Sequence, residues 1–125
     1  MAISLLPKQT VAVTFDCTIF FDRQKLSSSR VTDVVFIIKK KQIDTDRNAV
    51  LTKSLLNGSI SIISQTMVSV LFEPNDFKVL ECGESYVYGL GFKVPEFDHY
   101  VEPMILDREG KNANFIHVGY NFINN

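Results

Sequence analysis

Residues 81–97 read ECGESYVYGLGFKVPEF, and this stretch decides the fold. After the turn residue Gly83, apolar side chains recur at every second position, which is the period of a β-strand with one buried face. These side chains belong to Tyr86, Tyr88, Leu90, Phe92 and Val94. Gly89 and Gly91 have the opposite parity and leave the other face nearly flat, so that either a loop packs close to it or another chain docks on it. The stretch predicts an aromatic core strand.

Alternating apolar residues predict further strands on both sides of this one. The predicted strands are residues 11–22, 31–40, 49–56, 59–64 and 66–73 before it and residues 104–106 and 113–123 after it. Residues 31–40 are apolar on both faces, which is typical of a central strand or of one covered on both sides. The dipeptide Asn57-Gly58 tolerates positive φ and is predicted to close a hairpin.

The remaining pattern decides the fold class. Residues 74–82 lose the period of two, and their proline and apolar spacing predict one short helical turn near residues 75–81. About seven to nine short strands without a segment of amphipathic helical period predict an all-β fold, an antiparallel β-sandwich, with an up-and-down barrel as the alternative. The 125 residues fit one domain, residues 1–125, in which residues 1–9 are a candidate docking arm.

Charge and hydropathy limit the partners. The net charge is −1 at pH 7, so there is no basic excess that would attract nucleic acid or an anionic membrane, and proteins are the expected partners. The first ten residues, MAISLLPKQT, lack the basic segment and the apolar length of a signal peptide. The longest apolar run, residues 34–38, is far shorter than the roughly 20 residues that cross a bilayer. A soluble, non-secreted protein is therefore predicted.

The two cysteines, Cys17 and Cys82, form neither a CxxC pair nor a metal-binding spacing. Both are predicted to be buried apolar thiols, because free cysteine behaves as a small hydrophobic residue. A disulfide between them is the alternative.

Candidate catalytic or metal-binding residues are few. His117 lies within a predicted strand and His99 in a loop, where a histidine is more often structural than catalytic or ligating. Asp44 and Asp46 lack the spacing of a calcium-binding loop, and Arg47 adds a positive charge, so a solvated turn is predicted. The sequence has no phosphate-binding glycine loop and no serine nucleophile motif. No catalytic residue, cofactor or metal is predicted, and an enzyme on a β scaffold is the third functional hypothesis.

Four segments, taken in their order, resemble a recurrent immunoglobulin-like domain of tailed-bacteriophage virion proteins. It occurs as the N-terminal domain of upper baseplate proteins and in small head and tail accessory proteins. The resembling segments are VTDVVFIIKK at residues 31–40, AVLTKSLLNGSISI at 49–62, MVSVLFEPNDFKVLECGESYVYGLGF at 67–92 and the glycine-centred segment 115–122. Residues 95–106, PEFDHYVEPMIL, depart from the family by being longer and more apolar.

The resemblance implies an immunoglobulin-like β-sandwich and a non-enzymatic structural role in a bacteriophage virion. The implied protein is a capsid auxiliary or decoration protein, or a head–tail accessory protein, made in the host cytoplasm. It would assemble in multiple copies with other virion structural proteins, where weak identical contacts add up to avidity. The alternatives are a baseplate or tail component, or a module that binds carbohydrate or a host surface through Asp98 and Tyr100.

Apolar residues in the predicted arm, in the loop and near the C-terminus lack an obvious internal partner and are predicted to contact other proteins. The alternative is that they fold back on the sandwich. These residues are Ile3, Leu5, Leu6, Pro7, Phe97, Tyr100, Val101, Pro103, Met104, Phe122 and Ile123.

Overall fold

The computed structural model of this chain describes residues 2–103 and 114–121. Within them, eight strands, one α-helix and three 3₁₀ turns are present. The strands are β1 (Ile3–Leu5), β2 (Val11–Asp16), β3 (Asp33–Lys39), β4 (Leu51–Ser54), β5 (Ile60–Ile62), β6 (Met67–Phe72), β7 (Ser85–Lys93) and β8 (Phe115–Val118). The helix α1 is Thr18–Gln24, and the 3₁₀ turns are Ser28–Arg30, Asp46–Asn48 and Pro74–Lys78. The protein is mostly β with two sheets, as an all-β sandwich requires.

Among the described residues, the two sheets have five and three strands. The larger sheet has the order β1-β8-β7-β3-β4, and the smaller sheet has the order β2-β6-β5. The segment predicted at residues 31–40 forms β3, which lies between β7 and β4, so its prediction as a central strand is confirmed. Neighbouring strands are antiparallel except β1 and β8, which pair in parallel with Ile3 opposite Ile116. The expectation of a purely antiparallel fold is therefore wrong at this one edge.

The core lies between the sheets and is built from the alternating residues of the central strands. Its fully buried members on β3 and β6 are Val34, Phe36, Ile38, Val68, Val70 and Phe72. The predicted row of β7, from Tyr86 to Phe92, is buried on the same side. Phe36 occupies the centre, with its ring centroid 5.0 Å from that of Tyr88 and 5.7 Å from that of Phe15. Interlocked aromatic rings thus join the two sheets.

The predicted strand at residues 11–22 ends early, and its second half is helix α1. The carboxylate of Asp16 accepts hydrogen bonds from the backbone N–H and the hydroxyl of Thr18, at 3.0 and 2.6 Å, and so turns the chain. Phe20 and Phe21 are both buried. Successive residues of a strand point to opposite faces, so a strand with one buried face would expose one of them, whereas a short helix can bury both. The ring of Phe20 stacks on Phe92 at 4.9 Å. The prediction that the chain has no helix of this kind is therefore wrong.

The Asn57-Gly58 turn has the predicted backbone conformation but a different role. Gly58 has a φ of 85°. The strands on either side, β4 and β5, belong to different sheets, so the turn crosses between sheets and does not close a hairpin. The side-chain oxygen of Asn57 accepts hydrogen bonds from the backbone N–H groups of Ser54 and Ser59, at 3.2 and 3.0 Å. These bonds direct the chain away from β4 before it can pair back on that strand.

The candidate docking arm is part of the larger sheet. Ile3 and Leu5 are 6% and 3% exposed on β1, and Pro7 is also buried. The backbone N–H of Gly119 donates to the carbonyl of Leu5 at 2.9 Å, and the amide of Asn121 donates to the carbonyl of Pro7 at 3.0 Å. The prediction that these three residues contact a partner from a free arm is corrected, because their apolar side chains complete the inner face beside β8.

The helical turn near residues 75–81 is observed as the 3₁₀ turn Pro74–Lys78. Asp76 closes its start by accepting a hydrogen bond from the backbone N–H of Glu73 at 2.8 Å. Gly83 follows with a φ of 82° and leads into β7. The predicted strand at 104–106 lies outside the described residues. Of the last predicted strand, residues 113–123, the described part contains β8 (Phe115–Val118). None of the described helices is long and apolar enough to span a bilayer.

Candidate functional site

The larger sheet carries a groove on its outer face, with a volume of about 800 Å³. Its floor consists of Val35 and Ile37 on β3 and of Val87, Gly89 and Gly91 on β7. The two strands are paired directly beneath the groove, with Val35 opposite Gly91 and Ile37 opposite Gly89. The floor is therefore apolar and flat, and its backbone groups are used within the sheet. We call this feature the outer groove.

The loop 95–103 forms one wall of the outer groove and is held to the sheet at several points. Val101 and Phe92 exchange two backbone hydrogen bonds of 2.8 Å, so this part of the loop runs beside β7 like a further strand. Glu96 forms an ion pair with Arg30, and the ammonium group of Lys93 donates to the carbonyl of Phe97. The wall is thus fixed by contacts to β7 and to the segment before β3.

Tyr100 crosses the groove floor at Gly91. A Cβ atom at Gly91 would lie 3.3 Å from the Cβ of Tyr100 and 3.3 Å from the side chain of Val35, so glycine permits this close approach. The hydroxyl of Tyr100 donates to the carboxylate of Asp33 at 2.7 Å. This bond to a carboxylate raises the pKa of Tyr100, and burial adds to the effect. Of the two alternatives for the flat face, close packing of a loop is the one observed at Gly91.

Space remains on the floor at Gly89. Among the described residues, a Cβ atom there would meet only a carboxylate oxygen of Glu102, at 3.7 Å, which is an ordinary contact distance. Polar side chains surround this opening: Lys39 and Asp46 form an ion pair of 2.8 Å, and Glu102 is exposed. The ring of Phe115 is 51% exposed at the rim. The arrangement combines an apolar floor with a polar rim, which is the composition typical of ligand sites.

Tyr100→Phe tests the bond that holds the wall. Removal of a hydroxyl that donates to a carboxylate should lower the free energy of unfolding by about 1 kcal/mol at neutral pH, since Tyr100 is partly exposed. The pKa of Tyr100 is raised in the folded protein, so its contribution is present below the ordinary pKa of 10.0 and is lost as the pH rises past that value. The difference in the free energy of unfolding between the wild type and Tyr100→Phe, measured by urea unfolding, should therefore shrink above this pH. If this difference stayed constant in alkali, the hydrogen bond from Tyr100 to Asp33 would not contribute to stability.

The predicted contact residues fall into three groups. Phe97, Tyr100, Val101 and Pro103 belong to loop 95–103, where Tyr100 is 43% exposed and the other three are half-buried. Leu6 is 40% exposed at the end of β1, whereas Ile3, Leu5 and Pro7 are buried. Met104, Phe122 and Ile123 lie outside the described residues. The loop and the arm therefore supply separate surfaces.

Leu6 belongs to a second exposed feature, which we call the terminal edge and define by β1, Leu6 and Tyr120. A Cβ atom at Gly119 would lie 3.1 Å from the side chain of Leu6, and one at Gly83 would lie 2.6 Å from the hydroxyl oxygen of Tyr120. Both side chains therefore lie directly on glycine backbone, and Tyr120 is nevertheless 72% exposed. The structure thus brings Leu6, which follows β1, and Tyr120, which follows β8 and lies on Gly83 shortly before β7, to the same end of these neighbouring strands.

Sequence reasoning missed two exposed aromatic residues, Phe115 and Tyr120. Phe115 has a readable signal, because its parity on the strand is opposite to that of the buried residues Ile116 and Val118. Tyr120 follows the strand after a glycine, and no sequence pattern reveals that it lies on Gly83. Both add aromatic surface to the features described above.

The candidate catalytic residues make local contacts. The Nδ1 atom of His117 lies 3.1 Å from the hydroxyl of Ser85 on an exposed part of the sheet. His99 lies 2.9 Å from the carboxylate of Asp98, and this hydrogen bond holds the pKa of Asp98 below its ordinary value. Asp44 closes its own turn by accepting from the backbone N–H of Lys41 at 3.1 Å. Among the described residues, no three side chains of the ligating types are grouped around a common point.

The cysteines are both free, so the disulfide alternative is not observed. Cys17 is buried, as predicted, and burial raises the pKa of its thiol to about 12. Cys82 is exposed, so the prediction of burial is wrong for this residue. It precedes the turn at Gly83, where the chain has left the core.

Comparison of the chain with models of protein families, with curated proteins and with solved structures finds no match.

Proposed function

We propose that this chain is a non-enzymatic structural component of a bacteriophage virion, a capsid auxiliary or head–tail accessory protein with an immunoglobulin-like β-sandwich. The observation that carries the proposal is the terminal edge, where, among the described residues, no strand pairs with the outer side of β1, and where Leu6 after β1 and Tyr120 after β8 are exposed. The order of the four resembling segments supports the virion context. The sandwich would dock on other virion proteins through this edge.

The terminal edge has the features of a docking surface. β1 is the last strand of its sheet and pairs with β8 on one side only, among the described residues. An edge strand presents backbone donors and acceptors to which a strand of another chain can add. Leu6 places apolar area at the end of that row, and Tyr120 adds exposed aromatic area beyond β8. Tyrosine is enriched among the residues that dominate binding energy at interfaces. The edge can therefore supply both hydrogen bonds and an anchor.

A modest interface of this kind suffices for assembly in multiple copies. β1 has only three residues, so one strand addition forms few hydrogen bonds. In an ordered array each copy meets several neighbours, and the second contact forms at a high effective concentration. Weak identical contacts therefore yield stable occupancy. No chemical step is needed for this function.

The test is incorporation into particles of a phage that encodes this chain. Electron microscopy should show the sandwich as repeated density on the capsid, neck or tail, with the terminal edge against a neighbour. Leu6→Asp should reduce the amount of protein in purified particles by about tenfold or more, because it places a charge in the interface.

Leu56→Asp is the matched control. Leu56 is 78% exposed and follows β4, at the opposite edge of the sheet. This variant should be incorporated normally, and circular dichroism should show that both variants are folded. Particles that lack the protein, or equal incorporation of both variants, would refute the proposal.

A further inference from the structure

The floor of the outer groove restricts how a ligand can bind there. Val35, Ile37 and Val87 present apolar side chains, and Gly89 adds a flat interruption between them. Because β3 and β7 pair with each other beneath the groove, the backbone groups that these two strands turn toward each other are already hydrogen-bonded. A ligand on this floor makes apolar contacts below and can form hydrogen bonds at its own periphery.

The rim supplies those peripheral hydrogen bonds. Glu102 and Asp46 offer carboxylate acceptors, and Lys39 and Gln42 offer donors. The ring of Phe115 is half-exposed at the rim and can cover an apolar face. The groove therefore matches a molecule with a flat C–H surface and polar groups around its edge.

The charge of the rim disfavours an anionic ligand. Lys39 is balanced by Asp46 at 2.8 Å, and Glu102 adds a further carboxylate near Gly89. Phosphate, sulfate or an acidic sugar would need a basic excess, which the lining described here does not have. A cationic ligand would find the carboxylate of Glu102 at the rim, because that of Asp46 is paired with Lys39, and the apolar floor would leave the rest of its charge without a partner.

We infer that the outer groove binds a short neutral oligosaccharide. A pyranose ring has an apolar C–H face that fits the floor beside Gly89 and hydroxyl groups along its edge that reach Glu102, Gln42 and the Lys39–Asp46 pair. The volume of about 800 Å³ lies in the range of ordinary ligand sites. This function is separate from docking through the terminal edge, so either can fail without the other.

A peptide strand fits the outer groove less well. Peptides that extend a sheet pair with an edge strand, whereas β3 and β7 are internal strands with both sides paired for much of their length. Docking of a second copy of this chain on the groove is a distinct outcome, which would appear as a concentration-dependent change without added sugar.

The probes are four neutral oligosaccharides, cellotriose, xylotriose, maltotriose and chitotriose, with trigalacturonic acid as the anionic comparison. Each is added to the isotope-labelled full chain, and amide chemical shifts are followed by nuclear magnetic resonance. At least one neutral probe should shift the amides of Ile37, Val87 and Gly89 in a saturable manner. Trigalacturonic acid should bind more weakly.

Gly89→Val should fill the floor and weaken binding of that probe by at least about tenfold. In the part of the chain that the structure describes, a Cβ atom at Gly89 would meet Glu102 at an ordinary contact distance of 3.7 Å, so the protein should fold normally. Ser61→Val is the matched control, since Ser61 is exposed on β5 of the other sheet. Glu102→Gln provides a second test, because it keeps the shape of the rim but removes a charged acceptor, and it should weaken binding severalfold. Its control is Glu84→Gln, at an exposed position after Gly83, which should not weaken binding.

The inference is overturned if no neutral probe shifts the groove amides, if the shifts map to another surface, or if the anionic probe binds as tightly. Equal binding by wild type and Gly89→Val overturns it as well. Should Gly89→Val fail to fold, unchanged affinity of Glu102→Gln would have the same consequence. If the amide shifts depended on protein concentration and not on added sugar, the occupant of the groove would be a second copy of this chain, and the inference would be wrong.

Discussion

Phe36→Ala should lower the free energy of unfolding by about 4 kcal/mol, which is within the range for removal of a fully buried phenylalanine. Phe36 is 0% exposed, and its ring contacts Phe15, Tyr88 and Phe72 at centroid distances from 5.0 to 5.8 Å. Two of these rings belong to the smaller sheet and one to the larger. The substitution leaves a cavity between the sheets that neither sheet can fill without losing its own strand pairing.

The comparison is Phe115→Ala, the same chemical change on the outer face of the same sheet. Phe115 is 51% exposed, so its loss should cost less than about 1 kcal/mol. Urea unfolding followed by circular dichroism measures both, and the dependence on denaturant shows whether the unfolded state has changed as well. Similar effects of the two substitutions would mean that Phe36 does not join the sheets.

The sequence predicts the core strands well because their alternation is a local property. In β6 and β7 every second side chain is apolar, and a strand with one buried face needs no other information. β3 is apolar on both faces, which predicted its central position. The short turn at Pro74–Lys78 is equally local, since proline and a capping carboxylate lie within a few residues of each other. These elements form the centre of the sandwich, so its class was predictable.

Helix α1 and strand β1 were missed because their causes are not local. Residues 17–22 carry apolar side chains at positions that fit a strand or a helix, and Phe20 and Phe21 adopt the helix to reach Phe92, far along the chain. β1 has only three residues, and its pairing with β8 joins the two ends of the described chain. Short apolar segments of this kind take their structure from the surface they cover.

The outer groove was predictable only in part. The sequence shows that Gly89 and Gly91 share one face of their strand, which is therefore flat, and that an apolar loop follows β7. The bond between Tyr100 and Asp33 joins residues 67 positions apart, and no spacing rule connects them. The rim was not predictable either. Lys39, Glu102 and Phe115 are far apart in sequence, and the strand register that brings them to one rim is not visible in the sequence.

A buried ion pair between Lys53 and Asp76 leads to the second large expected effect. Lys53 is 5% exposed on the inner side of β4, and its ammonium group lies 2.8 Å from the carboxylate of Asp76 and 5.3 Å from the centroid of the Phe72 ring. The side chain of Asp76 is 12% exposed. The pair therefore ties the 3₁₀ turn Pro74–Lys78 to the edge strand of the larger sheet.

Asp76→Asn should lower the free energy of unfolding by about 3 kcal/mol, because it leaves the ammonium group of Lys53 buried without a countercharge. The double variant Lys53→Met/Asp76→Asn removes that charge and should be more stable than Asp76→Asn alone. Urea unfolding of the wild type, both single variants and the double variant gives the coupling energy, expected at about 2 kcal/mol.

Lys39 and Asp46 provide a control with the same geometry in a different environment. Their ion pair is also 2.8 Å long, but the side chain of Asp46 is 76% exposed. Asp46→Asn should therefore change stability by less than about 1 kcal/mol, and added salt should reduce even that effect. If Asp76→Asn cost no more than Asp46→Asn, Lys53 would have access to water in solution. The turn would then be held by the packing of Leu80 rather than by charge, since Leu80 is fully buried.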